Sequence, residues 1–237
     1  MTNTPGCNER AVAEFTVALI VNLIRDVHNF NWKVNEGNSS HFTLAKEWRQ
    51  IKIGIVGLGR IGKEVATILK DMGFSVCAWT AHPKKHNKFL EKTSIRLVKS
   101  INKLCSLCDV VSFHVRLTDK TRNIIGIKEL EVMKSHSGYL INTSRSGLLD
   151  YRALKVALKK GWIKGAALDV WPEEPIKSKW LKKLASDPKI IASPHVAGRT
   201  KIAINKAISL CGYNVAWIIS GIPEIATCVP LEELRYQ

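Results

Sequence analysis

Short apolar runs alternate with amphipathic stretches along the chain from residue 51 onward. The run at 51–57 is rich in β-branched residues and has the length of a β-strand. The stretch at 60–72 repeats apolar residues at helical spacing and stops at Gly73, a residue type that commonly follows a last helical turn. Further strands are predicted at 74–79, 94–98, 110–113, 139–142 and 166–170, and helices at 128–134 and 151–160. This alternation predicts an α/β protein with a doubly wound parallel sheet.

The two ends of the chain do not follow this alternation. Residues 8–30 predict one long helix and residues 199–220 a closing helix, whereas 31–50 are polar and irregular with Trp32 and Trp48 as apolar anchors. One side of the first helix carries a row of apolar residues: Val12, Phe15, Leu19, Leu23 and Val27. Because both ends are electrically neutral, we expect them to pack against a partner subunit or another domain.

Composition places the chain among soluble globular proteins. Its 237 residues are 46% hydrophobic and 24% charged, which supports a sizeable core and excludes a disordered chain. The longest apolar run near the start, 17–21, is shorter than the roughly 20 residues needed to cross a bilayer. The first residues lack the basic segment of a secretory signal. We therefore expect a cytoplasmic protein without membrane association.

The formal net charge of +16 comes entirely from the middle of the chain. Basic and acidic residues balance in 1–50 and in 201–237, whereas 51–200 contain 28 basic and 12 acidic side chains. Such a surface could attract a polyanion, either a nucleic acid or a phosphorylated cofactor. No recognition helix, RNP aromatics or zinc-finger spacing accompanies the charge. We therefore favour a lysine-rich solvated surface and predict no nucleic-acid partner.

Six cysteines lie mostly in apolar surroundings, at positions 7, 77, 105, 108, 211 and 228. Cys105 and Cys108 form a C-x-x-C motif without a second cysteine or histidine pair nearby, which argues against zinc. We predict no metal site and interpret the cysteines as buried thiols of a reducing compartment.

The strongest motif is Gly57-Leu58-Gly59-Arg60-Ile61-Gly62. It joins a predicted strand to a predicted helix, the context in which G-x-G-x-x-G binds a dinucleotide in a Rossmann-type fold. Gly57 would allow the tight turn, Gly59 the close approach of a diphosphate, and Gly62 the packing of helix on strand. The helix that opens at Arg60 would point its free N–H groups at the phosphates. The alternative is a glycine-rich turn without a ligand.

The end of the second strand bears on the choice of cofactor. An NAD-preferring site places Asp or Glu there to hold the ribose hydroxyls, but this chain has Thr80, followed by His82, Lys84 and Lys85. Threonine does not repel a 2′-phosphate, and the basic residues could pair with one. We therefore predict NAD or NADP as cofactor, with a slight preference for NADPH. Alternatively, Thr80 binds the ribose and the lysines face solvent.

Three polar residues stand at the ends of successive strands: Arg145, Glu174 and His195. Ligands of open α/β sheets bind at these ends, so the three could converge on one crevice. A cation, a carboxylate and an imidazole suit hydride chemistry on a hydroxy acid, since Arg145 can clamp a carboxylate. His195 can exchange the alcohol proton near neutral pH, and Glu174 can fix its tautomer and raise its pKa. Taken singly, each residue also fits an ordinary surface position.

These motifs, in this order, resemble the D-isomer-specific 2-hydroxyacid dehydrogenases, the family of phosphoglycerate dehydrogenase and hydroxypyruvate/glyoxylate reductase. The similarity extends over nearly the whole chain. Beyond the Gly57 motif, it is carried by Asn3-Thr4-Pro5-Gly6, Val12-Ala13-Glu14-Phe15-Thr16, Asn142-Thr143-Ser144-Arg145, Gly165-Ala166-Ala167-Leu168-Asp169-Val170, Glu174-Pro175 and Pro194-His195.

The resemblance implies roles for individual residues. Arg145, Glu174 and His195 match the catalytic residues, with His195 as acid/base paired to Glu174. Asp169 matches the carboxylate that holds the nicotinamide amide. The full cofactor-binding set implied is Gly57, Gly59, Arg60, Ile61, Gly62, Thr80, His114, Thr143, Ser144, Arg145, Asp169, His195 and Gly198. The substrate would be a small 2-oxo or 2-hydroxy acid.

The resemblance also implies a domain organisation. Residues 1–50 would form the linking helix and arm, 51–198 the dinucleotide-binding domain, and 199–237 the closing helix and a return segment. Family members usually dimerise through the nucleotide-binding domains, which would use the 8–30 helix and the arm containing Trp32 and Trp48.

The chain departs from the family pattern in three ways. Ser146 follows the catalytic arginine in place of glycine, and Arg116 replaces a usual proline. The third departure is that the chain begins at the Asn3 motif, so most of the substrate domain is expected to lie outside it, and 225–237 would return to that domain. Two hypotheses follow: the cofactor half of a 2-hydroxyacid dehydrogenase, or a catalytically weak dinucleotide-binding dimerisation module.

Overall fold

A parallel sheet of seven strands forms the centre of the protein. The computed structural model describes residues 3–35, 37, 44–135 and 138–221. The strand order is β3-β2-β1-β4-β5-β6-β7, and every neighbouring pair is parallel. The strands are β1 (Lys52–Val56), β2 (Ser75–Trp79), β3 (Arg96–Leu97), β4 (Val110–Phe113), β5 (Gly138–Asn142), β6 (Ile163–Leu168) and β7 (Ile190–Ala192). The predicted doubly wound α/β fold is confirmed, and its order reverses between β1 and β4, where a crevice opens at the strands' carboxyl ends.

Helices cover both faces of this sheet and bury two apolar layers. The helices are α1 (Glu9–Arg25), α2 (Val27–Asn35), α3 (Arg60–Asp71), α4 (Asn87–Thr93), α5 (Ile101–Leu107), α6 (Ile127–Glu131), α7 (Tyr151–Lys159), α8 (Lys179–Ala185) and α9 (Lys201–Ile219). Residues of α1 and α3 pack on one face and residues of α5, α6 and α7 on the other. All four residues of β4 are buried, as expected for a strand covered on both sides.

The predicted helix at 8–30 is wrong in its length. The structure has two helices there, α1 and α2, separated at Asp26, whose φ of 57° lies in the left-handed region. The Asp26 N–H closes the last turn of α1 by bonding to carbonyls of that turn, so α1 ends there. Val27, predicted on the buried side, is consequently 49% exposed. The apolar residues keep their helical spacing on both sides of Asp26, so the sequence pattern does not reveal where α1 ends.

Other differences concern short elements. β7 and the helices α4, α5 and α8 were not predicted, because each is at most seven residues long and shows little periodicity. β6 starts at Ile163 and ends at Leu168, whereas the sequence predicted 166–170. The predicted return segment at 225–237 and the side chain of Trp32 lie outside the described residues.

Helix α9 is apolar and lies largely on the surface. Among the described residues, α9 is the one helix that is long and apolar enough to cross a membrane. In its most apolar 18-residue segment, 11% is buried inside the protein. Length and composition alone do not establish a membrane span. Its buried anchors include Ala203 and Asn214, and the Asn214 side chain donates to the carbonyl of Asn3 at 3.1 Å. α9 therefore presents apolar side chains that the rest of the described residues leave uncovered.

Candidate active site

The glycine motif forms a turn in which side chains have no space. Gly57 has a φ of 100°, in the left-handed region that favours glycine. A Cβ on Gly57 would lie 2.6 Å from the carbonyl oxygen of His114, and a Cβ on Gly62 would lie 2.0 Å from that of Gly57. Both obstacles are backbone atoms. The first and third glycines are therefore required by the packing of α3 on β1 and β4.

The middle glycine faces open space instead. A Cβ on Gly59 would have the carbonyl oxygen of His114 as its nearest neighbour, at 3.9 Å. Gly59 is also the N-cap of the 12-residue α3, whose first N–H groups have no partner within the helix. A bare backbone beside a helix N-terminus is the cradle that a diphosphate requires. The loop thus fits a dinucleotide.

Arg60 and Ile61 open α3 at the rim of this cradle. The Arg60 guanidinium is 68% exposed and lies 3.4 Å from the carboxylate of Glu9 in α1. Ile61 is partly buried and packs against the apolar layer shared by α1 and α3. Arg60 is therefore placed where it can turn towards a bound phosphate.

His114 lies beneath the cradle as a neutral imidazole. It is buried, and its Nε2 bonds to the Ser112 hydroxyl at 2.9 Å. Burial lowers the pKa of His114 to about 3. Its Nδ1 is buried and has no hydrogen-bond partner among the residues that the structure describes. The His114 side chain therefore shapes the floor of the cradle without contributing charge.

The end of β2 lacks a carboxylate and is surrounded by basic groups. Thr80 accepts a hydrogen bond from the His82 N–H at 3.3 Å, and Lys84 and Lys85 are exposed in the following turn. Partial burial, together with positive charge on Lys63, His82 and Lys85, lowers the pKa of His86. This edge of the crevice thus has a positive field and no acidic side chain in the ribose position.

His195 and Glu174 form an ion-pair geometry across two loops. The distance from His195 Nδ1 to Glu174 Oε2 is 2.7 Å, and both side chains are partly exposed. The other oxygen of Glu174 accepts the Trp171 N–H at 2.9 Å. Partial burial works to raise the pKa of Glu174, but the hydrogen bonds from His195 and Trp171 and the Arg145 charge outweigh it, so that pKa is lowered. The carboxylate therefore stays ionised, leaving His195 Nε2 free to face a ligand.

The His195 loop is held by Asp169 from below. His195 has a φ of 54°, an uncommon conformation for a residue with a Cβ, and its N–H donates to the Asp169 carbonyl at 2.8 Å. The buried Asp169 carboxylate accepts the Ser193 hydroxyl at 2.6 Å and the N–H groups of Val196 and Ala197, each at 2.9 Å. Asp169 therefore positions the imidazole; its contact with a nicotinamide amide stays a prediction.

Arg145 stands on a tight turn after β5. The Asn142 amide donates to the Arg145 carbonyl at 2.9 Å and its oxygen accepts the Ser144 N–H at 3.1 Å. The Ser144 hydroxyl donates to the Phe113 carbonyl at 2.6 Å, which ties the turn to β4. The exposed guanidinium of Arg145 rests on the Ser144 carbonyl at 2.8 Å, and its charge reaches Glu174.

Comparison with known proteins identifies the family. The sequence profile of the D-isomer specific 2-hydroxyacid dehydrogenase NAD-binding domain matches residues 17–197. The chain belongs to this family.

Several relatives are similar over most of the chain. A glyoxylate reductase of Aeropyrum pernix is 36% identical over 229 residues, which cover 93% of this chain and 67% of that protein. A D-3-phosphoglycerate dehydrogenase of Methanocaldococcus jannaschii is 32% identical over 226 residues, covering 93% of this chain and 41% of the relative. The chain thus spans about two thirds of the first relative and less than half of the second.

Solved structures of 2-hydroxyacid dehydrogenases have the same fold. A D-lactate dehydrogenase of Lactobacillus jensenii with NAD+ superposes with a TM-score of 0.84 at 28% identity, over 97% of this chain and 71% of that one. An NADPH-dependent glyoxylate/hydroxypyruvate reductase of Sinorhizobium meliloti, in complex with NADP and malonate, superposes with a TM-score of 0.82 at 28% identity, over 98% and 70%.

Within this dehydrogenase fold, some of the predicted site residues lie close to one another. Others contact the surrounding framework instead. Glu174 and His195 are in contact, with Arg145 near enough to act on the Glu174 carboxylate. The hydroxyl of Thr143, in contrast, points inward and lies 2.8 Å from that of Thr16. Gly198 packs on Asn8, since a Cβ there would lie 2.8 Å from the Asn8 amide nitrogen. These two residues serve the framework of the site.

Sequence reasoning missed the residues that hold the candidate site in place. Their side chains or N–H groups bond to predicted site residues: Thr16 to Thr143, Asn142 to Arg145, Trp171 to Glu174 and Ser193 to Asp169. Asn142 and Ser193 each lie within three residues of a predicted catalytic residue, which is a usable signal. Thr16 lies 127 residues from Thr143, and only the fold brings the two together.

Proposed function

We propose that the chain is the nucleotide-binding part of a D-2-hydroxyacid dehydrogenase, an oxidoreductase acting on a small 2-oxo or 2-hydroxy acid. The observation that carries this proposal is the 2.7 Å contact of His195 Nδ1 with Glu174 Oε2, at the sheet edge that also holds the glycine cradle. A histidine oriented by a carboxylate is a general acid/base. Most ordinary surface histidines lack such a partner.

In this proposal each residue has one task. A bound nicotinamide dinucleotide supplies or accepts the hydride. His195 Nε2 gives a proton to the carbonyl oxygen of the 2-oxo acid and takes it back in the reverse direction, while Glu174 accepts the Nδ1–H and fixes the tautomer. Arg145 binds the substrate carboxylate or carbonyl through its guanidinium. The Arg145 charge helps to lower the pKa of Glu174, which supports a shared substrate.

Steady-state oxidation of NADH or NADPH tests the proposal. We expect turnover of glyoxylate, hydroxypyruvate or phosphohydroxypyruvate by the chain, and a loss of about 10²–10⁴-fold in His195→Ala, as for removal of a general acid/base. Glu174→Gln should shift the pH profile of kcat/KM. If dinucleotide binds but the chain and His195→Ala turn over equally slowly, the chain is instead a non-catalytic dinucleotide-binding dimerisation module.

For the cofactor we propose acceptance of both NAD and NADP, with NADPH slightly preferred. The support is the absence of a carboxylate at Thr80 and the positive field around His86. In calorimetric titrations, Lys84→Ala together with Lys85→Ala should weaken NADPH binding and leave NADH binding unchanged. Thr80→Asp should likewise weaken NADPH binding and leave NADH binding unchanged, because its carboxylate repels the 2′-phosphate. Equal losses for both cofactors would contradict a 2′-phosphate site here.

We also propose a homodimer that uses the first two helices. Apolar side chains of α2 and the following segment face outward: Val27, Phe30, Val34 and Leu44 are 49%, 38%, 66% and 97% exposed. A second copy covering this surface would remove them from water. Sedimentation velocity should give a dimer for the unmodified chain and a monomer for Val27→Asp together with Val34→Asp. A monomeric unmodified chain would contradict the proposal.

A further inference from the structure

A hollow over the sheet brings two cysteine thiols together, away from the catalytic edge. Gly54 lies in the middle of β1, and a Cβ there would be 2.8 Å from Leu104 Cγ and 3.1 Å from Cys108 Sγ. The Cys108 thiol therefore lies directly above Gly54, in the space that any other residue would fill. Cys108 itself is completely buried between α5 and β4.

The register of the sheet puts Cys77 beside the same hollow. Cys77 of β2 pairs with Gly54 of β1, and on its other side with Arg96 of β3. Residues paired in adjacent parallel strands point to the same face, and so does Lys52, two residues before Gly54. Cys77 packs against the apolar layer that contains Cys108, so both thiols lie on the side of the sheet where the hollow at Gly54 opens.

The surroundings make the two thiols unequal. Cys77 is partly exposed, while Cys108 is buried. The hydrogen bond from Cys108 and the charges of Arg96 and Lys52 lower the pKa of Cys77, although burial opposes this. The same contact and burial raise the pKa of Cys108. An accessible thiolate next to a buried thiol is the arrangement of a reactive cysteine and its resolving partner.

We propose that Cys77 and Cys108 form a dithiol site that small hydroperoxides oxidise to a disulfide. The Cys77 thiolate attacks an oxygen of hydrogen peroxide, the O–O bond breaks, and Cys77 becomes a sulfenic acid while hydroxide leaves and is protonated to water. The Cys108 thiol then attacks the sulfenic sulfur, forming the S–S bond and releasing a second water. Both sulfurs are oxidised, peroxide is reduced, and a dithiol reductant reverses the change by exchange.

A metal centre does not explain the pair. Among the residues that the structure describes, no three His, Cys, Asp or Glu side chains are placed to hold a metal ion. Cys105 is the nearest further thiol, but it is wholly buried, and burial, with a smaller effect of Glu129, raises its pKa to about 12. The geometry therefore leaves redox chemistry for Cys77 and Cys108. This site is independent of the proposed dehydrogenase activity.

Peptide mapping of the peroxide-treated full chain tests the proposal. The reduced protein is exposed to hydrogen peroxide, quenched with catalase, alkylated in denaturant and digested. We expect a linked peptide pair that joins Cys77 to Cys108, an intact mass lower by two hydrogens, and full reversal by dithiothreitol. Cys77→Ser should abolish the link, and Cys108→Ser should leave a Cys77 sulfenic acid that dimedone traps.

Cys105→Ser serves as the matched control, because Cys105 lies in the same layer and should not affect the link. Circular dichroism checks that each variant folds; if Cys108→Ser does not fold, the mapping of the unmodified chain still decides. The proposal is overturned if Cys77 and Cys108 are both still alkylated after the exposed Cys211 has been oxidised. A link that joins Cys77 or Cys108 to a different cysteine, in place of the Cys77–Cys108 link, would also overturn it.

Discussion

The hydroxyl of Thr16 in α1 lies 2.8 Å from the hydroxyl of Thr143 in the turn that carries Arg145. Thr16 Oγ1 also lies 2.7 Å from the Val12 carbonyl. Because a carbonyl only accepts, the Thr16 O–H donates to Val12 and the Thr143 O–H donates to Thr16. This buried contact fixes the turn that carries Arg145 to a helix that precedes the sheet in the chain.

Replacing Thr16 with valine tests this contact. Thr16→Val keeps the shape and leaves the buried Thr143 hydroxyl without an acceptor, so we expect the free energy of unfolding to fall by about 1–3 kcal/mol. Chemical denaturation measures it. Thr16→Val with Thr143→Val should cost less than the sum of the single changes; strict additivity would show that the hydroxyls do not interact.

Because the space beside Gly59 is open, we expect a substitution there to weaken dinucleotide binding without lowering the stability of the fold. Gly59→Ala meets no atom closer than 3.9 Å, so the melting temperature should barely change, while the added methyl group keeps a diphosphate from the backbone. We expect NADH affinity to fall at least about tenfold, equivalent to about 1.4 kcal/mol.

Gly212→Ala is the control for this substitution. Gly212 lies in α9 with nothing within 4 Å of an added Cβ, and alanine should stabilise the helix by about 0.5–1 kcal/mol. Its NADH affinity should equal that of the unmodified chain. Unchanged affinity in Gly59→Ala would show that the diphosphate does not approach this residue.

Asp169→Asn should loosen the His195 loop. Its buried carboxylate accepts three hydrogen bonds. Asparagine has an NH2 group in place of one carboxylate oxygen, so that a donor would face one of the three existing donors. We expect a loss of about 3 kcal/mol in unfolding free energy, measured by urea denaturation. Ser193→Ala removes a single donor and should cost about 1 kcal/mol. A smaller effect for Asp169→Asn than for Ser193→Ala would contradict this account.

His114 predicts a stability change with pH. Its pKa is lowered to about 3 in the folded protein, against about 6.5 in an unfolded chain. The unfolded state therefore binds more protons between these values, so stability falls as pH decreases from about 6.5 to about 3, by at most about 1.4 kcal/mol per pH unit.

His114→Gln removes this titration and should flatten the dependence of unfolding free energy on pH in that window. His82→Gln, at an exposed position, is the control and should leave the slope as it was. An equal slope in the chain and in His114→Gln would mean that the imidazole keeps its ordinary pKa in the folded protein, as it does where water reaches it.

Local patterns explain which parts of the fold were predictable. β1, the Gly57 motif and α3 were predicted within one or two residues, because their apolar periods change sharply at the glycines. The break at Asp26 was not, since both flanking segments are helical and a left-handed residue leaves no periodic trace. β7 has only three residues, too few to show a period.

The candidate site was likewise predictable only in part. Arg145, Glu174 and His195 could be placed at one sheet edge because parallel strands end together. The partner of Thr143 and the positive φ of His195 depend on contacts between distant segments, which no local pattern encodes. Sequence therefore indicated the proposed reacting groups, and the structure added the groups that hold their side chains and loops in place.

The interlocked turn at Gly57 and Gly62 has a genetic consequence. At both positions a backbone carbonyl oxygen blocks the added Cβ, and it stays in place even if the Val115 methyl group that lies equally close to Gly57 is trimmed. No compensating mutation elsewhere can make room, so a screen for intragenic suppressors of Gly62→Ala should return only true revertants.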